Sequence, residues 1–327
     1  MLLWGQSLPV LAAEAPQLGQ PVDCSIGKTC FIQAYVDSDP RPFAARDHRC
    51  GTATFDGHTG TDFRLLNTAA AGVAVLAAAA GTVTAASDGM ADQIVRPLRP
   101  AMISGAACGN SVSIEHGAGW QTQYCHLRQG SVRVKAGDLV TGGAPVGAVG
   151  YSGNAWFAHL HFIVRRDGGI VDPFTGRPPD GTCAATTGPL AGPKISLWDT
   201  AADRSLAYTG GQILETGFAD APVAAAMLER GSQSVAPPRG QSAELFVFAR
   251  IANMRAGDRV RFVLTGPENL SLESLTEPVA RDQGHYVATA MQRRRGWSWR
   301  LGPYRARAML LRGDQIVSTS GALLEMK

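Results

Sequence analysis

Ala158-His159-Leu160-His161-Phe162-Ile163-Val164-Arg165 is the stretch on which the fold turns. Its β-branched and aromatic residues read as a strand, and on a strand residues of like parity share a face. His159 and His161 then project together, with Leu160 pointing to the core. Short runs of the same texture recur, separated by glycine, at 73–76, 81–85, 111–116, 121–127, 131–134 and 146–149. Their even spacing predicts an antiparallel sheet domain. Gly117-Ala118-Gly119 reads as a three-residue hairpin loop between two of them, and 87–107 as an inserted surface loop. Beyond a Pro/Gly/Thr-rich stretch at 178–193, alternating runs return at 243–251, 259–264, 285–290, 297–301, 306–311 and 315–320. The expected fold is all-β: an antiparallel-sheet domain followed by a second small β-sandwich domain. The expected divisions are a signal-peptide remnant (1–20), an extended lead-in (21–47), the first domain (48–183), a linker (184–193) and an accessory domain (194–327).

The chain has 327 residues, 45% hydrophobic and 17% charged, which is too apolar for a disordered protein. The net charge of +3 gives no strong polyanion field, so no nucleic-acid partner is expected. After residue 183 there are 17 basic against 13 acidic residues, so what positive charge there is lies in the C-terminal part. No apolar run of about 18 residues follows the first dozen, so no integral membrane span is expected. The opening residues, from Met1 to Ala13, resemble the end of a secretory signal with cleavage after Ala12 or Ala13. A secreted or periplasmic location follows, and Cys24, Cys30, Cys50, Cys108, Cys125 and Cys183 fit three disulfides there. Composition alone leaves their connectivity open. Cys108 and Cys125 sit at nearly equal offsets from the 117–119 turn, and Cys24 and Cys30 are close in sequence. Elimination leaves Cys50 with Cys183.

Six of the seven histidines fall between His48 and His161. His58 and Asp62, in Gly57-His58-Thr59-Gly60-Thr61-Asp62-Phe63, share parity, and Gly60 lets the backbone bend. Imidazoles with one carboxylate suit zinc, and three protein ligands leave a position for water. Such a metal polarises a carbonyl and activates water, and amide hydrolysis is the natural chemistry. No H-E-x-x-H helix is present. His126, in Tyr124-Cys125-His126-Leu127, is the proton-handling candidate, with whichever histidine of the 159/161 pair is not a ligand. Tyr124 shares parity with His126 and reads as an oxyanion donor or a packed ring. Arg293-Arg294-Arg295-Gly296-Trp297-Ser298-Trp299-Arg300 reads as a solvated hairpin tip beside buried tryptophans. A grip on an anionic envelope polymer is the competing reading.

These residues, in order, resemble the lysostaphin-type, or LytM-domain, zinc metalloendopeptidases that cut peptidoglycan. The resemblance covers about 51–175. It rests on His58-x-x-x-Asp62-Phe63, Gly81-Thr82-Val83, Gly109–His116, Tyr124–Leu127, Val134–Val140, Gly147–Gly150, His159–Phe162 and Val171-Asp172-Pro173. It implies a LytM-like metallopeptidase domain with Zn²⁺ held by His58, Asp62 and His161. His126 and His159 are then the catalytic pair. Peptidoglycan is the implied partner, and the expected activity is cleavage of its stem peptides or cross-links. Tyr124, Asn154, Trp156 and Phe157 are the substrate-groove candidates. The loop Ser152-Gly153-Asn154-Ala155-Trp156-Phe157-Ala158 and Ile163 depart from the usual pattern of the family. The resemblance says nothing about 194–327, where an envelope polymer or a protein is the expected partner. Two other classes compete: an inactive relative that activates another wall hydrolase, and a lipoyl-type carrier module, for which no hairpin-tip lysine is in place.

Overall fold

The computed structural model describes residues 15–94, 107–181, 183, 196–231 and 234–327. The proposed signal cleavage point, the 184–193 stretch and the middle of the 87–107 loop lie outside the described residues. Almost all regular structure is antiparallel β. The first sheet runs in the order β1 (Cys30–Ala34), β2 (Thr61–Leu65), β9 (His159–Arg166), β6 (Trp120–Leu127), β5 (Asn110–Gly117), β4 (Gly81–Ser87) and β7 (Leu139–Val140). A short β10 (Gly169–Val171) also pairs with β9, and a separate two-stranded piece joins β3 (Ala74–Leu76) to β8 (Pro145–Ala148). Leu160 is fully buried, as the alternation of 158–165 predicts, and packs with Phe63, Val112, Ile114, Phe162 and Val164. The β5–β6 register pairs Gly117 with Trp120, so the loop is the two residues Ala118-Gly119. Both have positive φ, 50° and 75°, as a tight hairpin turn twisted to match its strands requires.

Two expectations for this part give way. Residues 131–134 are not a strand. Ser131 Oγ accepts from Ala148 N where a ladder bond would stand, leaving Arg133 N to Val146 O as the backbone bond from this segment to β8. Conversely, the lead-in supplies β1, whose five residues are all buried. Val22 and Tyr35 of the same segment enter the first core, as does Leu18 of the stretch expected to be a signal-peptide remnant. So do Leu197, Trp198, Ala202 and Leu206, around the short helix α1 (Thr200–Ser205) capped by Asp199. Trp198 meets Phe63 and Phe174 edge-on.

The C-terminal part holds two sheets. One is β11 (Gln212–Ala219), β12 (Glu244–Met254) and β15 (Gln283–Arg293). The other is β14 (Leu270–Leu275), β13 (Arg259–Gly266), β16 (Gly302–Arg312) and β17 (Gln315–Met326). Their facing sides share one core, with Leu245, Val247 and Ile251 from one sheet and Phe262, Leu264 and Leu310 from the other. The alternate residues Phe246 and Phe248 pack on Leu228 of α2 (Ala225–Arg230), which is why β12 is buried on both faces. The expected strand at 297–301 is instead the loop between β15 and β16. No helix among the described residues is long and apolar enough to cross a membrane.

All six cysteines pair, as Cys24–Cys30, Cys50–Cys183 and Cys108–Cys125. The C-terminal sheets dock on the first through Phe31, Leu66, Leu214 and Ala252. A buried ionic knot lies beside them. Arg64 on β2 and Arg250 on β12 both donate to Glu229 Oε1, and Arg64 also donates to Gln33. His285 lies 3.8 Å from the same carboxylate. Burial, then the fields of Arg64 and Arg250, pull this imidazole down to about 3, so it stays neutral.

Candidate metal centre

β2 and β9 set the frame. Their register puts Asp62 directly opposite His161 and Arg64 opposite His159. His58 reaches the same spot from the loop before β2. That approach requires a glycine at 60, because a Cβ there would lie 2.5 Å from the Phe162 carbonyl oxygen and 2.8 Å from the His161 ring. Three donor atoms converge. His58 Nε2 is 3.2 Å from Asp62 Oδ1 and 3.2 Å from His161 Nδ1, and His161 Nδ1 is 2.8 Å from Asp62 Oδ1.

The hydrogen bonds fix where the protons sit. A carbonyl oxygen only accepts, so His58 Nδ1 must donate to Tyr35 O, at 2.7 Å. The neutral ring then turns its Nε2 lone pair toward a carboxylate oxygen, an arrangement that needs a proton or a cation between them. A zinc ion with bonds of about 2.0–2.1 Å in a tetrahedral shell separates its donors by about 3.3 Å, close to the spacing found. His161 Nε2 has Thr59 Oγ1 at 3.4 Å as an outer partner, so its proton can reside there while Nδ1 faces inward. The donor set therefore fits a divalent zinc-like ion.

Two further imidazoles border this trio. His126 Nδ1 donates to Ser152 O at 2.7 Å, and His159 Nδ1 donates to Phe157 O at 2.9 Å. Each leaves its Nε2 free; that of His159 is 3.7 Å from Asp62 Oδ1, and the two rings lie 4.6 Å apart. Burial, reinforced by His159 and His161, holds His126 well below the ordinary imidazole range. Burial also lowers His159 and His161, against the pull of Asp62. Burial alone would lower His58, but Asp62 and the Tyr35 carbonyl outweigh it and raise it. Burial pushes the Asp62 carboxyl up, yet the surrounding histidines hold it well below the usual carboxylate range. A charged carboxylate among mostly neutral rings is the protonation state a metal requires.

The remaining groove candidates divide. The trio opens into a groove of about 380 Å³ lined by Phe55, Gln123, His126, Asn154 and Arg165 among others. Asn154 is on its wall, with a buried Oδ1 that has no partner. Trp156 is 56% exposed and off the groove. Phe157 lies between His159, tilted at 4.5 Å, and the Arg64 guanidinium, 4.4 Å over its ring. Tyr124 corrects the parity argument. It is fully buried, and its hydroxyl accepts from Ala78 N, so it belongs to the core. His126 has a φ of +63°, and the β5–β6 ladder shifts register nearby. This left-handed residue breaks the alternation, so His126 enters the groove although Tyr124 does not. Sequence reasoning missed the Tyr35 carbonyl, Phe55, Gln123 and Arg165. A backbone acceptor from a segment read as a lead-in leaves no side-chain signal.

Residues 56–173 match the sequence model of peptidase family M23. Among solved structures, the chain is similar to the SpoIIQ–SpoIIIAH pore-forming complex, at 21% identity and a TM-score of 0.36, over 51% of this chain and 94% of that one. It is similar to the catalytic domain of the prophage-encoded M23 protein EnpA from Enterococcus faecalis, at 24% and 0.30, over 42% and 88%. It is also similar to the catalytic domain of the antimicrobial peptidase lysostaphin from Staphylococcus simulans, at 23% and 0.29, over 43% and 85%. No curated protein matches the chain. The matched residues contain His58, Asp62, His126, His159 and His161, and they mark residues 56–173 as a segment of the peptidase family M23, or lysostaphin, type.

Proposed function

We propose that this protein is a zinc-dependent endopeptidase that hydrolyses peptide bonds in the stem peptides or cross-links of peptidoglycan. The observation that carries the reading is the convergence of His58 Nε2, Asp62 Oδ1 and His161 Nδ1, with every pair within 3.2 Å. These three atoms would hold the ion. When bound, it supplies Lewis-acid polarisation of the scissile carbonyl and a water of lowered pKa. His126 and His159 do the proton work. Both are neutral, both are oriented by a backbone carbonyl on Nδ1, and both have Nε2 free to take a proton and pass it to the leaving amine. The Ser152 and Phe157 carbonyls fix their tautomers. Asn154 lines the same groove and would border the bound substrate.

Three disulfides support an oxidising, secreted or periplasmic setting. The C-terminal β unit is an accessory module on this reading. Incubation of purified protein with purified peptidoglycan, followed by mass spectrometry of the soluble fragments, tests it. New free amino termini that vanish in His161→Ala are expected. Undigested wall, with stimulation of a second hydrolase by the same protein, would instead support the inactive-activator reading.

A further inference from the structure

The loop between β15 and β16 is built to display rather than to hide. Trp299 fixes it: its ring is buried, Nε1 donates to Ser242 O at 2.8 Å, and its backbone N donates to Gly240 O at 2.8 Å. Arg294 donates to Gln241 and to the Trp297 carbonyl, tying the turn down. On this fixed base Trp297 is 94% exposed and Leu301 71% exposed. Two large apolar side chains so fully in water, four residues apart on one anchored loop, mark a contact surface.

The same end of the C-terminal unit is cationic. Arg239, Arg293, Arg294, Arg295, Arg300 and Lys327 gather there, against Glu244 and Glu268, which pair at the surface with Arg293 and Arg300, and Glu325, opposite Pro303. It also lies away from the junction with the first sheet. β15 pairs with β12 along its whole length, from Gln283 opposite Met254 to Arg293 opposite Glu244. The Gln283 end touches the first sheet, where Gln33 donates to the Gly284 carbonyl. The junction reaches along β12 to Arg250, which donates to the Leu66 carbonyl and lies opposite Val287, and six residues at about 3.4 Å each carry the loop roughly 20 Å beyond it.

We propose that this loop docks on the surface of an anionic phospholipid bilayer, with Trp297 and Leu301 at the headgroup–acyl boundary and the arginines over lipid phosphates. The pairing of chemistries selects the partner. A soluble polyanion would satisfy the guanidiniums but leave the indole and isobutyl groups in water. A bilayer offers negative charge above an apolar layer, and tryptophan prefers that boundary. Held there, the β unit is a spacer that keeps the first sheet away from the membrane plane.

Flotation of the full chain with phosphatidylcholine vesicles, with or without phosphatidylglycerol, tests this. Binding only to the phosphatidylglycerol vesicles is expected, weakening with salt and falling at least about tenfold in a Trp297→Ala/Leu301→Ala double variant. Arg239→Gln/Arg295→Gln should reduce binding several-fold. All four positions are exposed, so thermal unfolding serves as the check that each variant folds. Failure of the wild type to float with anionic vesicles, or unchanged flotation of the double variant, would overturn the proposal. So would equal retention of wild type and double variant on immobilised polyphosphate without any flotation, which would indicate a polymer site instead.

Discussion

His48 and Asp172 make an opposite-signed prediction about stability and pH. They are buried together, with His48 Nδ1 3.8 Å from Asp172 Oδ2, and neither atom has another partner. Burial pushes Asp172 from 3.8 up to about 7 and His48 from 6.5 down to about 4. Because the Asp172 value is raised on folding, its stabilisation is full below about pH 4 and is lost as pH rises toward 7. Because the His48 value is depressed, its stabilisation is full above about pH 6.5 and is lost as pH falls toward 4. Each group alone gives a slope of up to about 1.4 kcal/mol per pH unit, and in the wild type the two cancel between them. Asp172→Asn is isosteric and keeps an acceptor for Phe174 N. Relative to wild type it should gain stability as pH rises from 4 to 7, by roughly 4 kcal/mol across the range. His48→Gln should lose stability relative to wild type over pH 4 to 6.5, by roughly 3 kcal/mol. Urea unfolding at half-unit pH intervals, with disulfides intact, reads both differences. Differences of the same sign, or flat ones, would refute the idea that burial, rather than ion pairing, governs this pair.

Three other outcomes follow from named contacts. Glu229→Gln leaves Arg64 and Arg250 buried around a neutral amide and should cost about 3–5 kcal/mol in chemical unfolding; a loss under about 1 kcal/mol would mean the knot is solvated. His126→Ala should keep its metal but lose ~10²–10⁴ in turnover on wall fragments, and wild-type turnover would remove it from the mechanism. Replacing Cys50 and Cys183 by Ser opens a closure of 133 residues and should lower stability by up to roughly 4–5 kcal/mol, with an unchanged unfolding midpoint as the contrary result.

Much of the site was legible because its side chains lie on a regular strand. The two-residue period of 158–165 put His159 and His161 on one face and Leu160 in the core, and the structure has them there. The same rule failed for Tyr124, because a positive φ at His126 is a local backbone event that parity cannot foresee. The lead-in was misread because its polar turns mask the buried strand at Cys30–Ala34. The Tyr35 carbonyl that orients His58 is backbone, and the Arg64–Glu229 contact joins residues 165 apart with no local pattern to announce it. At the C-terminal loop, the expectation of buried tryptophans holds for Trp299 and fails for Trp297. Trp299 is held by its Nε1 bond to the Ser242 carbonyl, while Trp297 lies almost wholly in solvent.

Zinc content bears most directly on the central claim that His58, Asp62 and His161 form the metal site while His126 and His159 do not. Elemental analysis of purified wild type, His126→Ala and His161→Ala should find about one zinc per chain in the first two and well below one in the third, because loss of one of three ligands opens the site. Full retention of zinc in His161→Ala, or its loss in His126→Ala alone, would contradict the assignment.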